Sequence, residues 1–166
     1  MRKVDEEFEG SVPRLSASTD NYEFVLNIGT EELASVCKTP RLQSLAELAY
    51  RKQEPLVRVT IRDREVIAIA VPYKVKKAAP LGDGKHLDVA VLGFAATQNR
   101  CEIVVEYAKR KRATVIAEAP HVQRMLEISY ETKRKLMFIV VETGYVVMAN
   151  LSRPAPKRTR QRRASR

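Results

Sequence analysis

Three groups of residues have the types and spacing to do chemistry. The first is the C-terminal run SRPAPKRTRQRRASR at positions 152–166, where Lys157, Arg158, Arg160, Arg162, Arg163 and Arg166 are spaced by small polar residues and Pro. A flexible polycation of this kind binds phosphates by counterion release and needs no fold to do so. The same pattern also serves as an import signal or a solubilising end. Within it, Arg162-Arg163-Ala164-Ser165 has the form of an arginine-directed phosphorylation site, and a phosphate at Ser165 would offset positive charge and weaken polyanion binding.

The second group lies on a hairpin predicted over Leu56–Asp63 and Arg64–Tyr73. With the turn centred on Asp63-Arg64, Arg62 faces Glu65, Thr60 faces Ile67 and Arg58 faces Ile69. One face then carries Arg58, Thr60, Arg62, Ile67, Ile69 and Tyr73. The other carries Val57, Val59, Ile61, Val66, Ala68 and Ala70 and turns to the core. A face that mixes Arg, Ile and an aromatic suits single-stranded nucleic acid, with bases on the apolar atoms and Arg on phosphate. Lys74, Lys76 and Lys77 follow Tyr73 and extend the platform. A pair of basic clusters, Lys109–Arg112 and Lys133–Lys135, closes two predicted helices. There they complement the dipole, and they form one basic surface if the two ends lie together.

The third group, Glu118 and His121, flanks a strand-to-helix junction, with Thr97, Gln98 and Asn99 at a similar one. A hollow joining them would suit a small enzyme. No nucleophile elbow, second carboxylate pair or metal-ligand spacing accompanies them, and His86 is isolated. The expectation is therefore no catalytic residue, no metal site and no cofactor. Gly82-Asp83-Gly84-Lys85 reads as a turn and not a phosphate loop.

The elements that must position these groups follow from periodicity and turn chemistry. Residues 1–20 read as a flexible arm, 21–151 as a single α/β domain and 152–166 as a disordered basic tail. Asn21–Ile28 is a strand, and Thr30 caps a short helix beginning at Glu31. Thr39-Pro40 starts a second helix with Leu42, Leu45, Ala46 and Ala49 on one stripe, ending near Gln53. After the hairpin, Lys74–His86 is a loop and Leu87–Phe94 a strand. Asn99–Arg112 is assigned to helix on its polar arc of Glu102, Glu106, Lys109 and Arg110. Thr114–Glu118 is a strand, Pro120–Arg134 a helix, and Leu136–Glu142 with Tyr145–Leu151 a closing hairpin. The order β-α-α-β-β-β-α-β-α-β-β predicts an α+β fold, a single sheet with antiparallel hairpins and helices packed mainly on one face, with a three-layer sandwich as the alternative. No internal repeat is evident.

Composition bounds the role. The chain has 166 residues, with 30 Lys+Arg against 20 Asp+Glu and a net charge of +10. The tail holds seven basic residues and no acid, so positions 1–151 carry 23 basic against 20 acidic residues and a net +3. The excess points to a polyanionic partner, and a composition of 45% hydrophobic and 30% charged residues with 6 Gly and 8 Pro excludes collagen-like, coiled-coil and fully disordered classes. Cys37 and Cys101 sit in apolar settings and read as reduced and structural. The N-terminus lacks an apolar run and no stretch reaches membrane-spanning length, so a cytoplasmic or nucleoid/nuclear, intracellular protein with no membrane partner is expected. The sequence thus predicts a non-enzymatic binder of single-stranded DNA or RNA that self-associates through an edge strand such as Tyr145–Leu151. The alternatives are a ribonucleoprotein or scaffold subunit tethered to RNA by its tail, and a small α/β enzyme at Glu118/His121.

Overall fold

The computed structural model describes residues 4–152. The chain order is β1 Glu6–Ala17, β2 Tyr22–Ile28, β3 Glu31–Val36, α1 Pro40–Lys52, β4 Val57–Arg62, β5 Glu65–Val71, β6 Gly84–Thr97, β7 Cys101–Tyr107, β8 Lys111–Ala117, α2 Pro120–Thr132, β9 Leu136–Glu142 and β10 Tyr145–Asn150. The predicted single sheet with helices on one face is wrong. The fold is mostly β and its strands close on themselves.

Two five-strand circuits account for the pairing. In the first, β1 pairs antiparallel with β2 and β4, β2 with β3, and β4 with β5. A parallel bridge from Val36 to Glu65 closes it, and the Val36 amide donates to the Arg64 carbonyl at 3.0 Å. In the second circuit, β6 pairs with β7 and β9, β7 with β8, and β9 with β10. Tyr145 bridges Ile116 in parallel, and the Ile116 amide donates to Gly144 at 3.0 Å. Closure removes most sheet edges and lets every strand turn one face inward. The circuits join through β5 and β6, in the register Ala68–Thr97, Ile69–Ala96, Ala70–Ala95 and Val71–Phe94. One continuous core fills both, with Phe24, Leu26, Leu42, Leu45 and Leu48 in the first half and Phe94, Ile103, Leu126, Leu136 and Ile139 in the second.

Although no repeat is evident in the sequence, the two halves repeat one another in structure. Both helices open on Pro, at 40 and 120, and both end on a left-handed residue, Gln53 and Lys133, so each pair lies 80 positions apart. At that spacing Pro40/Pro120, Gln43/Gln123, Glu47/Glu127, Tyr50/Tyr130, Leu56/Leu136 and Val66/Val146 are identical. The ladder irregularities also recur: at Ser11/Arg14 and Val91/Gly93, and at Thr60/Ile61 against β5 and Val146/Met148 against β9.

The two predicted helices at Pro40 and Pro120 and both hairpins are present. Three expected elements are not. Within the span read as a loose arm, Glu6–Ala17 is a strand: β1 forms the wall shared by β2 and β4. The helix expected from Thr30 is β3, whose Leu33 and Ser35 turn inward by strand alternation. Asn99–Arg112 is β7, a turn and the start of β8: Cys101, Ile103 and Val105 are buried while Glu102 and Glu106 face out, a period of two. The β-branched residues prevail over the helical arc there. Thr39 precedes α1, but its side chain makes no capping hydrogen bond.

Gly10 sits where β1 leaves β4 and turns to β2. A Cβ there would lie 2.2 Å from the Asn27 carbonyl oxygen and 3.3 Å from Leu26 Cγ. Gly10→Ala is expected to cost about 1–3 kcal/mol, read as a fall in thermal midpoint of about 2–4 °C per kcal/mol. Gly82→Ala, with nothing within 4 Å of its added Cβ, should leave the melt unchanged.

Candidate functional site

The hairpin platform exists with an altered register. Arg62 faces Glu65 as expected, but Thr60 faces Ala68 and Arg58 faces Ala70, because a bulge takes up Ile67. The slip exchanges the faces of the second strand beyond the bulge. Ile69 is buried beside Val59 in the core and does not lie on the outer face, and Ala68 and Ala70 take its place there. The result is a groove of about 520 Å3, floored by Thr60, Ala68, Ala70, Ala95 and Thr97 and rimmed by Arg58, Lys77 and Arg100.

Its cations are already matched. Arg58 lies 3.7 Å from Glu9, and Glu102 takes Lys77 at 2.6 Å and Arg100 at 3.6 Å. Arg62 turns away to a two-pronged pair with Asp5 at 2.6 and 2.9 Å, which holds the Asp5 carboxyl below its usual range. Tyr73 is half-buried with Lys74 5.5 Å from its ring centre, and Lys76 is exposed. Lys157, Arg158, Arg160, Arg162, Arg163 and Ser165 lie outside the described residues.

A second hollow, of about 610 Å3, gathers residues from four places in the sequence: Lys85, His86 and Asp88 of β6, Glu106 and Tyr107 at the end of β7, Lys109 and Arg110 in the following turn, and Lys135 before β9. It brings together the two basic clusters whose proximity the sequence left open. Lys85, Lys109, Arg110 and Lys135 make no ion pair among the described residues, and Glu106 is held 3.9 Å from Arg112, outside the hollow.

The hollow also has rings. His86 and Tyr107 meet edge to face at 5.6 Å and 73°, and Lys85 sits 4.3 Å from the Phe138 ring centre. Nε2 of His86 lies 2.7 Å from the Gly82 carbonyl, an acceptor, so that nitrogen carries the proton. Four of the nine described non-Gly residues with positive φ lie here: Asp88, Ala108, Lys109 and Arg110 (51°, 20°, 51° and 64°). Such conformations cost of order 1–3 kcal/mol each and cluster at functional sites. Lys135 also lines an adjoining hollow with Lys52, Lys133 and Arg134, which extends the positive surface. The sequence signal was present in Lys109–Arg112 and Lys133–Lys135. What hid the site was the assignment of Lys109–Arg112 to a helix end and of Tyr107 to a helix; Lys133–Lys135 does follow the end of α2.

The Glu118/His121 junction also borders a hollow. About 650 Å3 lies between the N-terminal ends of α1 and α2, lined by Arg41, Ser44, Gln98, Glu118, His121 and Arg124. Thr97 does not reach it, and Asn99 lies in a smaller neighbour that shares Glu118 and Arg41. Beneath it Glu127 is buried, accepting hydrogen bonds from Ser44 Oγ at 2.6 and 2.8 Å and from Gln123 Nε2 at 2.9 Å. Loss of hydration raises its carboxyl above the usual range despite those donors.

Both cysteines are free and buried, and burial pushes each thiol up to about 12. Among the described residues no cluster of His, Cys, Asp and Glu could hold a metal ion, and no helix is long and apolar enough to cross a membrane. Comparison with protein-family models, with curated proteins and with solved structures finds no match.

Glu127 sets a pH dependence. Its folded pKa is raised, so the stability it contributes is present below the unfolded value of 4.5 and is lost as pH rises through the folded value. Glu127→Gln should therefore flatten the fall in stability above that pH, measured by urea melts across a pH series; an unchanged pH profile would contradict the assignment. Neither thiol should react with a disulfide reagent in native protein, and both should react after unfolding.

Proposed function

We propose that this chain binds single-stranded nucleic acid without sequence preference, along the surface that runs from the Lys85–Tyr107–Arg110 hollow past Lys135 to Lys133 and Arg134. The observation that carries the reading is the set of four cations unpaired by any described carboxylate, arranged around an edge-to-face ring pair. Phosphates need unmatched positive charge, and unstacked bases need a ring or a flat cation to lie on. Duplex offers no free base face, so the rings favour single strands. Architecture supports the same reading. Each half is a small closed barrel of five strands, and five-stranded barrels are an architecture that can bind oligonucleotides. The groove at Arg58 and Lys77 plays a smaller part, because binding there must first displace Glu9 and Glu102. The C-terminal polycation adds phosphate contacts and salt dependence.

The enzyme reading keeps one observation in its favour, the hollow shared by Glu118, His121 and Gln98. The scaffold reading is the outcome in which the tail alone binds.

Fluorescence anisotropy over a salt series separates these. Each of Lys85→Ala, Lys109→Ala, Arg110→Ala and Lys135→Ala should lower the salt slope for single strands by about 0.7. Tyr107→Ala should cost about 1–3 kcal/mol. Arg58→Ala should have a smaller effect, and Glu118→Gln with His121→Ala should have none. If a chain ending at Ser152 binds no oligonucleotide, the hollow is not the site and the tail is the only polyanion-binding element.

A further inference from the structure

The joint between the two halves uses one edge of each. The end of β5, Ala68–Val71, pairs with the end of β6, Phe94–Thr97. By the repeat, the counterpart of Ala68–Val71 is Met148–Leu151. Between the aligned turns Ser18–Asn21 and Thr97–Arg100, the counterpart of Phe94–Thr97 is Leu15–Ser18. Both counterparts are open. Met148–Asn150 pairs only with β9, and Leu15–Ala17 only with β2, among the described residues. Neither carries a charge or a proline, and among the described residues no further strand covers either, the devices by which exposed edges are ordinarily blunted.

The helices give an independent sign of the same surface. Within the chain, α1 meets α2 through Ser44 on Glu127, Arg51 on Glu131 at 3.1 Å and Lys52 on the Tyr130 carbonyl at 3.3 Å. Lys52 also covers the Tyr130 ring at 3.7 Å. Several of these residues have exposed counterparts in the other half, among them Arg124 for Ser44 and Tyr50 for Tyr130. Tyr130 is 8% exposed, but Tyr50 is 45% exposed; Leu48, on the stripe between Ser44 and Arg51, is 0% exposed, but Ile128 is 39% exposed. At the open edge Met148 is 54% exposed. Repeating the Ser44–Glu127 contact one step along sets Arg124 of one molecule against Glu47 of the next, which are opposite charges.

We propose that the chain associates head to tail with further copies of itself, the Met148–Leu151 edge of one molecule adding to the Leu15–Ser18 edge of the next. The register repeats the internal joint: Met148 with Ser18, Ala149 with Ala17, Asn150 with Ser16 and Leu151 with Leu15. At the same joint Arg124 meets Glu47, and Ile128 and Tyr50 are covered. The contact is heterologous, so it extends until it closes in a ring or continues as a fibre. It does not rest on the nucleic-acid reading.

Sedimentation equilibrium on the full chain, from micromolar to millimolar, tests this. Wild type should exceed the monomer mass, increasingly so with concentration. Met148→Lys and Arg124→Glu, each at an exposed side chain, should weaken association by about tenfold or more with unchanged thermal melts. Glu47→Arg removes the acceptor of the Tyr22 hydroxyl and the partner of Arg51, so it should lower the melt as well as weaken association; an equimolar mixture of Arg124→Glu with Glu47→Arg should still recover association over either alone, since every joint between unlike chains then pairs opposite charges. A monomeric wild type throughout would overturn the proposal. So would association that these variants leave unchanged, or a mixture no better than its components.

Discussion

The four-residue ladder between Ala68–Val71 and Phe94–Thr97 is the joint on which the molecule depends. Each half is a closed circuit with its own helix, and each closes through one short parallel bridge. What makes them one body is that β5 and β6 pair on edges the circuits leave unused. The pairing merges the two cores and lays Ala68, Ala70 and Ala95 side by side as the floor of the outer groove. It also brings α1 onto α2, where Ser44 and Gln123 satisfy the buried Glu127. A buried carboxylate with its donors removed would be costly, so the helix contact and the ladder reinforce each other.

The basic hollow arises at the far side of the second circuit. Strands β6 and β7 diverge there from β9, and the chain turns through residues with positive φ at Asp88 and at Ala108–Arg110. The first half has Gly10 at its strand crossing and Gly29-Thr30 in the matching turn, so it makes the same corners without strain or charge. Duplication followed by divergence of such corners would give one half a binding surface and leave the other as support. The ion pairs separate the two surfaces: the groove across the joint has its cations matched by Glu9 of the first circuit and Glu102 of the second, and the hollow does not.

Much of the secondary structure was legible because local rules coincided with the fold. Pro40 and Pro120 start helices whose apolar stripes are regular, and the Asp63-Arg64 and Thr143-Gly144 turns join strands with clear alternation. Other parts were not legible, each for a physical reason. β1 contains charged residues and Pro13, because its outer face is solvated and a bulge at Ser11/Arg14 accommodates the proline. Acids after Thr30 imitate a capped helix start, yet both are exposed residues at the start of a strand. In β7 a ring of outward Glu residues mimics a helical arc. The platform register failed at Ile67, since a bulge leaves no mark in the sequence other than its effect on the faces. The repeat escaped notice because identity survives mainly at positions that cap, join or cross the helices. Of the candidate site, the charge clusters were visible, and their convergence needed the closure of the second circuit.

The most direct measurement of where polyanions bind is a titration of the isotope-labelled full chain with a short oligothymidylate, followed by backbone amide shifts. The hollow predicts saturable changes grouped at Lys85–Asp88, Tyr107–Arg110 and Lys133–Lys135, with smaller changes at Arg58 and Lys77. Changes confined to the C-terminal residues beyond Ser152, or centred on the Arg58–Lys77 groove with the hollow silent, would contradict it.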